Sequence, residues 1–221
     1  IEDLCEETFL CFHTLQYLSG ADGSEPLCCP YDSRRNGFIM SEGAAVVVIE
    51  SMEHALKRGA RILARIAGYG NAFDPDGEPG FDRGPEGLKR AINTALEDGG
   101  LKPEDIDYIC GSANSTKGLD RMETEAIKAV FGDHAFRIPV SSIKSMLGET
   151  FSASGTFSLL AGTGAIREGF IPPTINYEIK DPSCDLDYVP NKARYADVKR
   201  VLVLASDPYG QNSALIVERF Q

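Results

Sequence analysis

A chain of 221 residues, 43% hydrophobic and 25% charged, can bury a core as one domain or as one large piece of a bigger one. A formal net charge of −11 argues against general affinity for nucleic acid or for acidic membrane surfaces. No apolar run is long enough to cross a bilayer, the opening residues carry no signal-peptide pattern, and neither the six cysteines nor the three isolated histidines have metal-ligand spacing. The expectation is a soluble cytoplasmic protein with free thiols and no metal, in which His13, His54 and His134 have no functional role.

Taken in chain order, "LCEETFLCFHTLQYLSG" places Leu4, Cys11, Leu15 and Leu18 on one helical stripe that ends at Gly20. The apolar run Ala44 to Ile49 predicts a strand covered on both faces. "SMEHALKRGA" predicts a short helix and "RILARIAGYG" a strand, followed by a Gly-, Pro- and acid-rich surface loop over 74–87. "LKRAINTALEDGG" is a helix closed by glycines, and "DIDYICGSA" is a strand. "DRMETEAIKAVFG" is a helix with Met122, Ala126 and Val130 on one face, "RIPVSSIK" a strand, and 149–168 a small-residue helix. The strands "RVLVLASD" and "SALIVERF" close the chain around a tight turn. This alternation predicts a layered α/β fold with 44–50, 106–111 and 201–206 in one covered sheet.

Three stretches carry a resemblance. "PYDSRRNGFIMSEGAAVVVIE" (30–50), "SSIKSMLG" (141–148) and "IPPTINYEIKDPSCDLDYVPNKAR" (171–194) stand in the order found in the β-ketoacyl synthases of the thiolase-like superfamily. The resemblance spans essentially the whole chain and implies the layered αβαβα fold of that superfamily, mainly its C-terminal half. Residues 1–60 would then end the N-terminal half and 61–221 would form the C-terminal half. Family members are about twice this long, and their nucleophilic cysteine lies ahead of Ile1.

The resemblance also implies the positions of the reactive groups. The family's His-Gly-Thr-x-Thr motif with its following Asp-x-x-Glu corresponds to "GSANSTKGLDRME" (111–123); anchoring on Asp120 and Glu123 puts Ser112 at the first histidine and Thr116 beside the pantetheine arm. Lys144 matches the family lysine, and Glu149 replaces the second histidine. Aligned on Gly210 and Asn212, "DPYGQN" puts Pro208 where a phenylalanine backbone N–H helps form the oxyanion hole, and proline has no such donor. Each change also has a structural reading: Ser112 as a small residue at a strand end, Glu149 in the first turn of a helix, Asp120 and Glu123 as a helix cap, and Lys144 as the ion-pair partner of Glu149.

Together the substitutions imply a non-catalytic subunit resembling the chain-length factors of type II polyketide synthases. Such a subunit pairs with an active ketosynthase as a heterodimer, acts on chains held on the phosphopantetheine of an acyl carrier protein, and needs no cofactor of its own. Two alternatives stand beside it: a divergent acyltransferase using Glu149 as general base, and a decayed paralogue with a scaffolding role.

Overall fold

Five strands form the sheet on which the chain is laid, in the spatial order Arg65–Phe73, Gln211–Glu218, Arg200–Ser206, Tyr108–Cys110 and Val140–Ser141. The computed structural model describes residues 3–75, 80 and 82–220. After helix α1 (Glu6–Thr14), helix α2 (Met52–Lys57) starts at Ser51, whose hydroxyl accepts from His54 N–H. Strand β1 (Arg65–Phe73) leads through the 74–85 connection to α3 (Glu86–Gly99), which stops at Gly100 in the left-handed conformation. Then follow β2 (Tyr108–Cys110), α4 (Lys117–Phe131), β3 (Val140–Ser141), the single turn α5 (Lys144–Leu147) and α6 (Ser154–Glu168). A small ribbon of β4 (Phe170–Ile171) and β5 (Arg194–Tyr195) brackets the long connection before β6 (Arg200–Ser206) and β7 (Gln211–Glu218).

The strands β6 and β7 form an antiparallel hairpin, β1 adds to β7 antiparallel, and β2 runs parallel to both β6 and β3. Side chains of β6 alternate between two cores, as period-two geometry requires. Leu202 and Leu204 join Leu88 and Ile92 of α3 and Ile127 of α4, whereas Val201 and Val203 join Ala165 and Ile166 of α6. Helices thus cover both faces of this sheet. Close approach of α3 to β1 rests on Gly68 and Gly70: a Cβ there would overlap the carbonyl oxygens of Ala95 and Ala91.

Three expectations are corrected. Residues 44–50 belong to no strand, and Val46 and Val48 are each 83% exposed. A strand needs a neighbouring backbone to take its hydrogen bonds, and no described segment pairs with this run. The first helix ends at Thr14, buries none of its residues, and leaves Leu4 and Leu15 exposed; Leu18 is buried beyond it, bridged to Phe38. The helix expected over 149–168 begins only at Ser154, after a 3-10 turn over Phe151–Ala153. Of the loop expected over 74–87, residues 76–79 and 81 lie outside the described residues, and Glu86 already opens α3.

Candidate functional site

The site forms where the C-terminal ends of β2 and β6 release the chain into turns. Beyond β2, residues 111–116 run as a buried loop into α4, and two carboxylates of that helix hold it. Glu123 accepts from the N–H groups of Ser112 and Ala113 and, at 2.6 Å, from the Tyr31 hydroxyl. Asp120 accepts from Asn114 N–H at 3.0 Å, Ser115 N–H at 3.2 Å and Tyr31 N–H at 2.7 Å. The helix-cap reading of these acids is therefore corrected: Thr116 is the N-cap, and both acids lie inside α4, facing back onto the loop. Gly111 is required here, because a Cβ would strike the Tyr31 hydroxyl and Glu123 Oε1.

Burial pushes both carboxyls up, Asp120 to about 7 even with Arg35 beside it. Arg35, itself buried, lies with Nε 3.6 Å from Asp120 and donates from Nη1 to Asp181 and to the Asp32 carbonyl. Helix α4, the 28–40 segment and the 171–194 connection are tied together through this one guanidinium.

Across the loop, Lys144 at the start of α5 donates from Nζ to the Ser112 carbonyl and to Glu149 Oε2, each at 2.8 Å. Asn114 Nδ2 donates to the same oxygen at 3.0 Å. The other oxygen, Oε1, accepts from the Ser154 hydroxyl at 2.6 Å and from Phe151 N–H at 3.1 Å. Burial alone would raise the Glu149 carboxyl, but the Lys144 charge and hydrogen bond, with those of Ser154 and Asn114, outweigh it and hold the group below the usual glutamate value. Glu149 is a buried, ionised carboxylate with four donors around its two oxygens. It stands ahead of the 3-10 turn rather than in the first turn of a helix.

Ser112, Lys144, Glu149 and Pro208 line one pocket of about 400 Å³, with Phe12, Phe151 and Leu204 among its apolar walls. The Ser112 hydroxyl accepts from Ser206 N–H at 3.0 Å, joining the ends of β2 and β6. Pro208 sits in the turn between β6 and β7, where Asp207 Oδ1 accepts from Tyr209 and Gln211 N–H, and the Pro208 carbonyl accepts from Gly80 N–H. Gly210 takes φ +99° in that turn. Thr116, Gly210 and Asn212 do not line the pocket. Thr116 donates to Asn114 Oδ1, while Asn212 accepts from the Ser206 hydroxyl and donates to the Gly210 carbonyl.

Neither a histidine nor a cysteine lines the pocket. His13 and His54 are exposed, and His134 lies beside Phe131. Cys28, Cys29, Cys110 and Cys184 are buried, and burial pushes their thiols up to about 11 or 12, far from the thiolate a nucleophile needs. Among the described residues, no cluster of His, Cys, Asp and Glu has the arrangement of a metal site. Asn114, Phe12 and Phe151 escaped the sequence reading. Asn114 lies inside the "GSANSTKGLD" stretch, where its side chain gave no signal because its partner Glu149 is 35 residues away.

This geometry can be set beside known proteins. The profile of the β-ketoacyl synthase C-terminal domain matches residues 63–178, and that of the N-terminal domain matches residues 2–55. A putative polyketide β-ketoacyl synthase 1 of Streptomyces halstedii is 42% identical over 95% of this chain and 50% of its own length. The ishigamide ketosynthase/chain length factor superposes with a TM-score of 0.92 at 38% identity, over 100% of this chain and 52% of that one. A type II PKS acyl-carrier protein in complex with its ketosynthase bound to the hexaketide gives a TM-score of 0.94 at 34% identity, over 99% of this chain and 54% of that one. The chain spans about half the length of the curated relatives it matches. With a family profile over more than half its residues and the α/β fold of thiolase-like ketosynthases along its whole length, the chain belongs to the β-ketoacyl synthase family.

Proposed function

We propose that this chain is a non-catalytic, chain-length-factor-like ketosynthase subunit that pairs with an active β-ketoacyl-[acyl-carrier-protein] synthase in polyketide or fatty-acid elongation. The observation that carries the reading is the Lys144–Glu149 pair at the floor of the pocket. Decarboxylative condensation builds negative charge on a thioester oxygen and needs donors aimed at it. A carboxylate about 4 Å from that charge opposes it by about 4 kcal/mol at an effective dielectric near 20. Pro208 withdraws a further donor, and loss of one oxyanion donor costs about 10²–10³ in rate.

The acyltransferase alternative asks Glu149 to accept a proton. Its lowered pKa and its four donors, against about four lone-pair sites on a carboxylate, disfavour it as a base. In the non-catalytic reading, Ser112, Lys144, Glu149 and Pro208 mark a silenced centre, and Thr116, Gly210 and Asn212 support the wall facing the phosphopantetheine arm of a carrier protein. Residues 1–60 close the N-terminal half of the fold and 61–221 form its C-terminal half, working in the cytoplasm. The exposed run at Val46 and Val48 supports this division, because it has the character of a strand awaiting the sheet that the remainder of the N-terminal half would supply.

The test is reconstitution. The chain is expected to co-purify with an active ketosynthase, and the pair to elongate chains on a carrier protein. Ser112→His with Glu149→His leaves the chain unable to condense, since Pro208 remains and no cysteine lines the pocket. Condensation or malonyl-thioester decarboxylation by the unmodified chain alone overturns the reading.

A further inference from the structure

The main sheet finishes its two edges in different ways. At β3 the chain covers itself: the Asp187 carbonyl accepts from Val140 N–H at 2.8 Å, and Pro139 bridges to the same residue. The opposite edge is β1, nine residues long, and among the described residues no backbone pairs with its outer side. Asp74, just past the strand, donates inward to the Gly210 carbonyl. Since backbone groups alternate in direction along an antiparallel strand, Phe73, Asn71 and Tyr69 turn theirs outward. A free row of this kind is a template for another strand. The face turned away from α3 adds apolar surface, with Ile66, Tyr69 and Phe73 at 42%, 50% and 52% exposure.

Two side chains of α3 stand on this edge. Asp98 Oδ2 accepts from Tyr69 N–H at 3.0 Å, and Arg90 Nη2 donates to the Phe73 carbonyl at 3.0 Å. The spacings match, because eight helical residues rise about 12 Å and four extended residues span about 13 Å. One helix running antiparallel to the strand therefore reaches both positions at once. Gly68 and Gly70 bring it within reach, since they let the carbonyls of Ala95 and Ala91 rest directly on β1. Asn71 is left as the one residue between the two caps, too short a stretch for a ladder.

We propose that Asp98 and Arg90 guard the free edge of β1 against antiparallel pairing with β1 of a second copy of this chain. A second copy is the occupant because the strand is complementary to itself. About a twofold axis at Asn71, each Tyr69 falls opposite the Phe73 of the other copy, an aromatic cross-strand pair on the exposed face. No charged side chain stands between Ile66 and Phe73, so the strand carries none of the charges that blunt an edge from within. The Tyr69 N–H and Phe73 carbonyl would both belong to that ladder, and both are already occupied from α3. Such a guard suits a subunit that pairs with a different polypeptide, but the inference does not depend on that role.

The experiment compares the full chain with Asp98→Ala, Arg90→Ala by sedimentation over a range of protein concentrations, together with residue-resolved amide exchange. Both positions are exposed, so the double variant is expected to fold, as far-UV circular dichroism checks. It is expected to associate at concentrations at least about tenfold below those the parent needs, because two hydrogen bonds no longer have to be exchanged. The Asn71 amide should gain protection as the concentration rises, which places the contact on β1. Adding Tyr69→Lys, which sets a cation on the edge, should return association to the parental level. Equal association of parent and double variant at every concentration overturns the guard. So does association that leaves the Asn71 amide unchanged or that Tyr69→Lys does not reduce. If the double variant unfolds, Arg90→Ala alone decides, since it frees the Phe73 carbonyl and touches no backbone N–H. A shift toward lower concentration then supports the guard, and an unshifted profile overturns it.

Discussion

Lys144 and Glu149 are each about 5% exposed, and each is the main compensation for burying the other's charge. Truncating one partner of such a pair leaves an uncompensated buried charge, so Glu149→Ala is expected to cost about 3–5 kcal/mol. The double change Lys144→Met, Glu149→Leu should recover only part of that loss, because it removes the unpaired charge but leaves Asn114 Nδ2 and Phe151 N–H without this acceptor. Urea denaturation of the single and double variants measures both. The two buried acids also respond to pH in opposite senses. Glu149, held below its ordinary value, contributes stability above about pH 4.3, which is lost as the pH falls through its lowered pKa. Asp120, raised to about 7, keeps its proton in the fold after the unfolded chain has released it. Its contribution is complete below about pH 3.9 and is lost as the pH rises through about 7. The stability advantage of the parent over Asp120→Ala should therefore shrink between pH 4 and pH 8, and an advantage that grows over that range would contradict the assignment.

At the scale of elements, α3 and β1 meet backbone to backbone. Gly70→Ala sets a Cβ against the Ala91 carbonyl and the Ala95 nitrogen, atoms that no rotamer can move aside. The substitution should cost about 1–3 kcal/mol, the range for overpacking, and should speed amide exchange in α3. These packed elements are also the ones the sequence announces. The continuous apolar runs of β6 and β7 and the glycine-closed pattern of α3 record burial and a helix end, and all three elements form where expected. The run at 44–49 carries the same signal, but a strand is a relation between two backbones and only one of them is among the described residues. The site was legible to a similar depth. The resemblance to the β-ketoacyl synthases pointed to Ser112, Lys144, Glu149 and Pro208, and these four line one pocket. Asp120 and Glu123 were misread as a cap because an acid three residues after another fits a helix start equally well. Nothing local says that both turn back onto a loop and onto Tyr31, about 90 residues earlier in the chain.

For the molecule as a whole, the exposed edge at 44–49 yields a clean contrast. Val46→Lys with Val48→Lys should change the stability of this chain by no more than about 0.5 kcal/mol, the usual range for surface positions. On the proposed division of the fold, the same pair should abolish association with a polypeptide that supplies the remainder of the N-terminal half, as gel filtration would show. Arg35 has a consequence of another kind, in the timing of synthesis. Its guanidinium is closed by Asp120 and by Asp181, which leaves the ribosome 146 residues after it. Asp32 likewise waits for the N–H groups of Glu178 and Ile179. The 28–40 segment therefore lacks its closing partners at 178–181 while most of the chain is being translated, and a growing chain pays that loop-closure entropy late. Ribosome-bound chains arrested before residue 178 should be cut by trypsin at the Arg34–Arg35 bond, and chains extended past the last strand should resist it. Early resistance at that bond would mean that the segment finds its place without the clamp.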